Sequence, residues 1–446
     1  MDRRSLLKTS GLAVLGLGAG GCARLAGRPN KLPRLRVNLA PVEASWGRVI
    51  RTTVGLRPYR PSGFVLRVQK LDAKTVIHNY GHGGAGHSIG WGTAELAAEI
   101  AMAHGDRHAA VIGCGTAGLT AARQLQRRGF DVTIYAKSVP PETTSNKALA
   151  GFTPTSGLIA ANRRSLEWDA QFQRAAEIAY EQLQLLVGRG YGVSWIDNYG
   201  MLNQQPALRE GGSPPLSASH KQAERPSVGA VSSLSSHGSP SDPQGRSLGR
   251  SPLRPAHLRT GSVVLQPGEH PFPSRFATRT PWLRIEPTIY LDALVRDVLL
   301  FDGHIVIRNF NTPEDLTSLR ESLIVNCTGL GARELFGDNE LIAQKGQLTM
   351  LVPQPEVDYA TTGGVPGSPN ARGEFIHMVP RSDGIALGGT REEGIWDLKP
   401  NAEAQLGIVE SHIELFRGMR APSPMPERSA APVMTPALES FYGLKS

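Results

Sequence analysis

"AAVIGCGTAGLTAARQLQRRGFDVTIYA" (Ala109–Ala136) is the stretch on which the fold turns. A short apolar run, Ala109–Ile112, enters a turn with glycines at 113, 115 and 118. A helical pattern follows, with Leu119, Ala122 and Leu125 on one face and Gly129 as its stop. "FDVTIYA" reads as the next strand, which completes a βαβ unit. Glycines at this spacing permit a tight turn and let backbone approach a pyrophosphate, while the helix amino end favours negative charge. A strand before and a helix after are the context such a turn needs. A tight turn without ligand is the competing reading. The acid that an adenosine ribose would require after the second strand is missing. Tyr135-Ala136-Lys137 stand there, which argues against a plain NAD enzyme and offers Lys137 to a phosphate.

Around this unit the chain is long, 446 residues, enough for two domains and a large core. Apolar content of 40% and charged content of 20% fit a soluble globular protein. The net charge of +9 is unevenly placed. Residues 1–36 carry eight Lys/Arg against one Asp, and residues 207–260 carry seven against three acids, so the rest is near neutral. No basic face with interleaved aromatics remains, which excludes nucleic acid as a partner. Residues 1–22 read as a processing segment: Arg3-Arg4 precede Leu6-Leu7-Lys8 and the apolar "GLAVLGLGAGG". The twin arginine points to Tat export, with a Sec signal as the alternative. Cys22 after Ala19-Gly20-Gly21 is similar to a lipoprotein cleavage site, so the expected location is periplasmic, free or anchored to a membrane through lipidated Cys22. Cys114 and Cys327 sit in glycine-bearing turns and read as small buried residues, not a disulfide.

Residues 23–44, basic and proline-containing, read as a linker. "RVIRTTVGLRPYRPSGFVLRVQKL" reads as strand, turn and strand, and residues 92–104 as a helix ending in a polar connector to His108. Residues 166–187 form another amphipathic helix. Residues 206–262 are rich in Ser, Pro, Gly and Arg without periodicity, and are expected to be disordered. Folded pattern resumes through 263–419, and the proline-rich tail 420–446 is expected to fray. There is no internal repeat and no signal for oligomeric state.

A second glycine loop, "HNYGHGGAGHSIGWG", sits directly before the unit. Its histidines, His78, His82 and His87, lack a nearby carboxylate or thiolate and a fixed spacing, so no metal is expected. Its glycines suit backbone N–H groups turned toward an anionic or carbonyl-rich ligand. Arg57 and Arg60 lie in "VGLRPYRPSG", and a guanidinium suits bidentate capture of a carboxylate; a surface arginine on a turn is the alternative.

Together, "VGLRPYRPSG", "VIHNYGHGGAGHSIGWGTA", "AVIGCGTAGL", "VTIYAKSVPPETTSNKALAG", "LIVNCTGLGA", "KGQL" and "IALGGTREEGIWDL" resemble the D-amino-acid oxidase family of FAD enzymes. The likeness covers most of residues 46–419 apart from the insert. It implies an α/β fold: a Rossmann-like FAD-binding domain plus a mixed α+β substrate domain. In that family the glycine-rich strand opens the chain, and "GLRP" and "HNYGHGG" close it. Here the closing segment (within 45–205) comes first and joins the strand through Ala103–His108, so the resemblance implies a circular permutation. It implies that Gly113, Gly115, Thr116, Ala117 and Gly118 hold the FAD pyrophosphate. Thr143, Thr144 and Ser145 would contact phosphate and ribityl oxygens, with Ala150 and Gly151 near the flavin ring. Gly83, Gly84, Ala85, Gly86, His87 and Ser88 would line the flavin's pyrimidine side through backbone groups, and Phe310 would meet adenine. Arg57 would clamp the substrate carboxylate, and Gly84 would face the amine. The implied reaction is hydride transfer from substrate Cα to flavin N5, giving a 2-oxo acid and ammonia, with oxygen reduced to hydrogen peroxide. Three features depart from the family. His377 stands where a Tyr that shares the substrate carboxylate with the arginine is usual, and its imidazole would donate there instead; "FTPTSGLIAANRR" replaces an aromatic-rich stretch, and the insert interrupts ordered chain. The alternatives are an oxidase of glycine or N-methyl amino acids, and a flavin-binding envelope protein with a degenerate site.

Overall fold

The computed structural model describes residues 37–149, 151–205, 253–370 and 376–421. In chain order the first elements are β1 (Val49–Tyr59), β2 (Val65–Leu71), β3 (Lys74–Tyr80), α1 (Gly86–Ala101), β4 (His108–Ile112), α2 (Thr116–Gln126) and β5 (Asp131–Ala136). Next come α3 (Leu166–Leu186), β6 (Val193–Leu202), β7 (Val263–Leu265), β8 (Phe276–Ile285), α4 (Pro287–Leu300), β9 (His304–Ile307) and β10 (Leu323–Asn326). The last are α5 (Ala332–Phe336), β11 (Ile342–Leu351), β12 (Ala360–Thr362), β13 (His377–Arg381), β14 (Gly384–Gly388), β15 (Glu392–Glu393) and α6 (Ala402–Arg417).

Among the described residues the strands form two sheets. The first runs β2-β3-β10-β4-β5-β9, parallel from β3 to β9, with β2 antiparallel at one edge. Its central strands are apolar on both faces, as Val76, Ile77, Val111, Ile134 and Val325 show. Helices α1, α2, α3 and α4 supply the core on one face, and Phe310, Leu316 and Leu335 cover the other. The second sheet runs β1-β11-β14-β13-β12-β6-β8-β7, with β15 paired to β11. Helix α6 packs over β11 and β14, placing Ile408, Leu415 and Phe416 against Met378, Ile385 and Leu387. This alternation leaves the sheet's other face to the cavity described below.

The βαβ unit forms as read, with Gly129 at φ +78° closing α2. Helix α3 begins at a Ser165 hydroxyl that accepts the Trp168 N–H. Four expectations need correction. The helix expected at 92–104 begins at Gly86. Glycine disfavours helices by propensity, but a Cβ on Gly92 would lie 1.8 Å from Ala175 O, so close packing on α3 decides. The linker expected at 23–44 is packed in its last part: Val42 is buried, Val37 N–H donates to Glu269 O, and the Tyr359 hydroxyl donates to Ala40 O at 2.7 Å. The disordered insert expected at 206–262 ends sooner. Leu258 is buried, Arg254 lies over the Phe152 ring at 5.2 Å, and Ser262 Oγ pairs with Thr280 Oγ1. One apolar side chain and one guanidinium anchor a segment whose composition alone reads as unstructured. Arg420, placed in the tail, donates its N–H to Pro271 O. The export-signal segment 1–22, residues 206–252 of the insert and Ala150 lie outside the described residues.

Candidate functional site

The carboxyl ends of the parallel strands open into a cavity of about 1890 Å³ between the two sheets. Tyr80, Ile112, Ala136, Arg308 and Cys327, at or just beyond the ends of β3, β4, β5, β9 and β10, all line it. Ligands in open parallel sheets bind at this edge.

At one end lies the glycine turn. Gly113 has φ +110°, and a Cβ there would lie 2.6 Å from Cys327 O. A Cβ on Gly118 would lie 1.9 Å from Gly113 O, so Gly118 keeps the turn closed from behind. Gly115 is the N-cap of α2 and offers no side-chain cap. The first N–H groups of α2 therefore face the cavity beside Thr116 and Ala117, ready for an anion. The Ser145 hydroxyl accepts the Thr116 N–H at 3.1 Å, and the Thr143 hydroxyl donates to Asn146. Thr143, Thr144 and Ser145 all reach the cavity. Lys137 lines the same cavity, and Phe310 lies between Tyr135 and Arg308. A glycine cradle, a helix amino end at the cavity and this volume fit an FAD.

The second glycine loop closes the opposite wall. Gly83, Gly84, Gly86 and His87 line the cavity; Ala85 and Ser88 do not. Ala85 is fully buried at the cap of α1, and the Ser88 hydroxyl is spent on Gly151 O and Thr153 N–H. The His87 ring also has a structural duty, bridging Ser145 O at 3.0 Å and the Thr116 hydroxyl at 3.1 Å. Gly151 lies on the wall with Trp282 directly against it, a Cβ there being 1.8 Å from Trp282 Cζ2. The three histidines are engaged separately: His78 with Gln69 and Asn326, His82 with Thr93, His87 as above. Burial pushes all three down to about 4, so they are neutral at pH 7. Among the described residues no three His, Cys, Asp or Glu side chains are placed to hold a metal. Cys114 and Cys327 are buried free thiols, and burial pushes the Cys114 thiol up to about 12.

The second sheet roofs the cavity and sets the reactive groups. β1 and β11 pair Gly55 with Gly346 and Arg57 with Gln344. Leu348 faces Gly388, which faces His377, which faces Thr362. Residues opposite one another share a face, so Arg57 and His377 both point into the cavity. The Arg57 guanidinium lies over Gly346, where a Cβ would be 2.4 Å from Nη1. It also donates to Thr390 O at 3.3 Å. The His377 ring lies over Gly388, where a Cβ would be 2.3 Å from Nε2. Gly346 and Gly388 sit on neighbouring strands offset by two residues, about 8 Å apart from strand spacing and rise. Burial, then the charge of Arg391, pushes the Arg57 guanidinium down to about 10. Arg57 is partly buried, and it lines the cavity.

Four contributors escaped the sequence reading. Arg391 lines the same region, with Nη2 3.1 Å from the point where a Gly157 Cβ would stand. Gly346 makes room for the guanidinium, Trp282 covers Gly151, and Ser156 sits beside Gly84. Arg391 and Gly346 lie in quoted motifs, but strand pairing was needed to show what they face.

The family profile described as "FAD dependent oxidoreductase" matches residues 108–228 and 276–436. Human (Homo sapiens) D-aspartate oxidase is 32% identical over 129 residues, 28% of this chain and 34% of its own length, so the chain spans about a third of that relative. The D-amino-acid oxidase of Rubrobacter xylanophilus is 28% identical over 315 residues, 70% of this chain and 79% of its own. Among solved structures, glycine oxidase from Geobacillus kaustophilus aligns at 13% identity with a TM-score of 0.43, covering 71% of this chain and 81% of that one.

Proposed function

Since the chain belongs to the FAD-dependent oxidoreductase family, we propose that it is an oxidase of D-amino acids, converting them to 2-oxo acids, ammonia and hydrogen peroxide. Its cofactor is FAD. Bound FAD would supply the hydride acceptor and pass the electrons to oxygen. The observation that carries the reading is the Arg57 guanidinium, held over Gly346 and facing the cavity that the glycine turn opens.

The chain's own residues bind and orient. Gly113, Gly115, Thr116 and Ala117 would hold the pyrophosphate, with Thr143, Thr144 and Ser145 along the chain of the cofactor and Gly83, Gly84 and Gly86 at the ring. Arg57 takes the substrate carboxylate in its fork, which fixes the direction of the Cα–H bond. The Trp282 side chain lies against Gly151 on the cavity wall. No side chain is required as a base, because positioning supplies most of the effect.

Arg391 favours an acidic substrate. Arg391, exposed at the cavity wall, places a second positive charge near Arg57 and adds to burial in pushing the Arg57 guanidinium down. A second carboxylate on the substrate, as in D-aspartate, would relieve that repulsion. The test is a visible spectrum of purified protein under anaerobic conditions. D-Aspartate, D-alanine, glycine and N-methyl amino acids are added in turn, with their L-forms. Bleaching by D-forms supports the oxidase, and preference for D-aspartate supports the role of Arg391. Bleaching only by glycine or N-methyl compounds would replace the substrate class. No bleaching at all would leave a flavin-binding protein with a degenerate site.

The reading extends to a permuted chain. The Tyr359 hydroxyl contacts Ala40 O and Met419 Sδ together, and Trp46 Nε1 donates to Glu410 on α6 at 2.6 Å. The end of α6 and the start of β1 are thus neighbours, and the family match begins at His108 with β4. Residues 1–22 would serve as a Tat signal. Arg3→Lys with Arg4→Lys should then retain the protein inside the cell, and unchanged export would discard the idea.

A further inference from the structure

We propose that Ser156 is a substrate-contacting residue, donating its hydroxyl to the carboxylate that Arg57 holds; this rests on the reading of Arg57 given above. Ser156 belongs to the segment Thr153–Leu158, which has no regular structure but is tightly tied. Its own N–H donates to Thr153 O at 3.0 Å, and its carbonyl accepts the Gly84 N–H at 3.1 Å. Next to it, Gly157 O fills the place of a Gly83 Cβ, 1.8 Å from where that atom would stand. The two loops therefore interlock through backbone, and the Ser156 side chain is the part left to face the cavity.

Its direction is set by Gly84. A Cβ on Gly84 would lie 3.1 Å from Ser156 Oγ and 3.5 Å from Arg57 Cδ. The hydroxyl and the arginine stem thus flank the same point, on the same wall of the cavity. Ser156 is half-buried, and among the described residues its hydroxyl has no hydrogen-bond partner. A carboxylate has about four lone-pair positions and a guanidinium fork takes two, so a neighbouring hydroxyl can fill a third. His377, whose ring leans over Gly388, lines the same cavity.

The experiment uses the flavin-loaded full chain. Propionate, a carboxylate with no amine, is titrated and its Kd read from the perturbed flavin spectrum. D-Alanine and D-aspartate reduction is then measured anaerobically. Ser156→Ala keeps both backbone hydrogen bonds, so flavin content and melting temperature should stay at the parent values. It should raise the propionate Kd about tenfold, and Ser156→Thr, which keeps the hydroxyl, should restore most of that loss. An unchanged propionate Kd in Ser156→Ala, with a raised Kd in His377→Phe, would give the carboxylate to His377 and overturn the proposal. An unchanged propionate Kd with a raised KM for D-alanine would place the hydroxyl on the amine, which also overturns it. If the parent chain binds no propionate while D-amino acids still bleach the flavin, the Arg57 clamp fails and this inference with it, but the oxidase reading stands. If neither occurs, the oxidase reading itself has failed.

Discussion

Gly346→Ala separates the geometry of the clamp from the stability of the fold. A Cβ at position 346 would lie 2.4 Å from Arg57 Nη1, 2.5 Å from Nη2 and 2.6 Å from Cζ. Ordinary contact needs 3.4 Å or more, so the guanidinium must withdraw by about 1 Å. The obstacle is the far end of a flexible side chain, and Gly346 lies within regular strand, so the fold can absorb the change. Stability should move by less than about 1 kcal/mol, because the alanine also restricts the unfolded chain. Catalysis is less forgiving: a misplacement near 1 Å costs about a hundredfold, or about 2.7 kcal/mol of transition-state stabilisation. The assay is the rate of anaerobic flavin reduction against D-amino acid concentration, with flavin content and melting temperature measured on the same preparation. The expected result is a kcat/KM lower by about two decades in a protein that keeps its flavin and its melting point. An unchanged kcat/KM would show that the carboxylate is not held where the guanidinium lies over Gly346, and the clamp would have to be abandoned.

Arg57→Ala should abolish reduction while leaving flavin bound; continued turnover, read from the anaerobic spectrum, would remove the clamp altogether. Gly118→Ala puts a Cβ 1.9 Å from Gly113 O, a backbone atom that cannot swing aside, so flavin should be lost on gel filtration and stability should fall by about 1–3 kcal/mol; retained flavin would count against the cradle. Leu258→Ala should cost about 2–3 kcal/mol in urea unfolding, because the side chain is buried although it lies in a segment that composition marks as unstructured. Burial holds His78, His82, His87 and His412 at about 4 in the folded chain against an ordinary 6.5, so the unfolded chain binds more protons between those values. Stability should therefore be complete above pH 6.5 and fall as the pH drops toward 4, by up to about 3 kcal/mol for each histidine, with His82→Gln reducing the slope. A flat urea midpoint across that window would contradict the assignment.

The sequence is most legible where function demands backbone shape. Gly113, Gly115 and Gly118 announce their role because a cradle for a pyrophosphate tolerates no side chains, and the strand and helix around them follow from apolar period alone. Arg57 is legible only through its motif: alone it reads equally as a surface arginine on a turn, and the likeness of "VGLRPYRPSG" to the family is what assigns it a carboxylate. Legibility fails where a residue's partner is distant in the chain. Gly346 looks like a poor strand residue until β1 brings Arg57 across it, 289 positions away in sequence. Arg391 reads as a surface charge, and it is exposed, but the Gly157 loop and the fold set it on the same cavity wall as Arg57. Leu258 is one apolar side chain in a run of Ser, Pro and Arg, too weak a signal for any window average, yet one buried leucine is enough to anchor a segment. The helix that begins at Gly86 shows the same effect in reverse, since four glycines within "GGAGHSIG" read as loop, and the close approach of Gly157, Ser156 and Thr116 to Gly83, Gly84 and Gly90 explains why small residues stand there. The order of segments extends the argument. A chain whose first strand lies against its last helix, through Thr52 and Gln405, should lose little when its ends are moved, because the contacts that matter are between elements and not along the chain. Moving Trp46–Ala103 to follow Met419 should therefore give a protein with the same flavin spectrum and a comparable melting point; a product that does not fold would show that the present order is needed for assembly, and that the adjacency of α6 and β1 is no trace of a former connection.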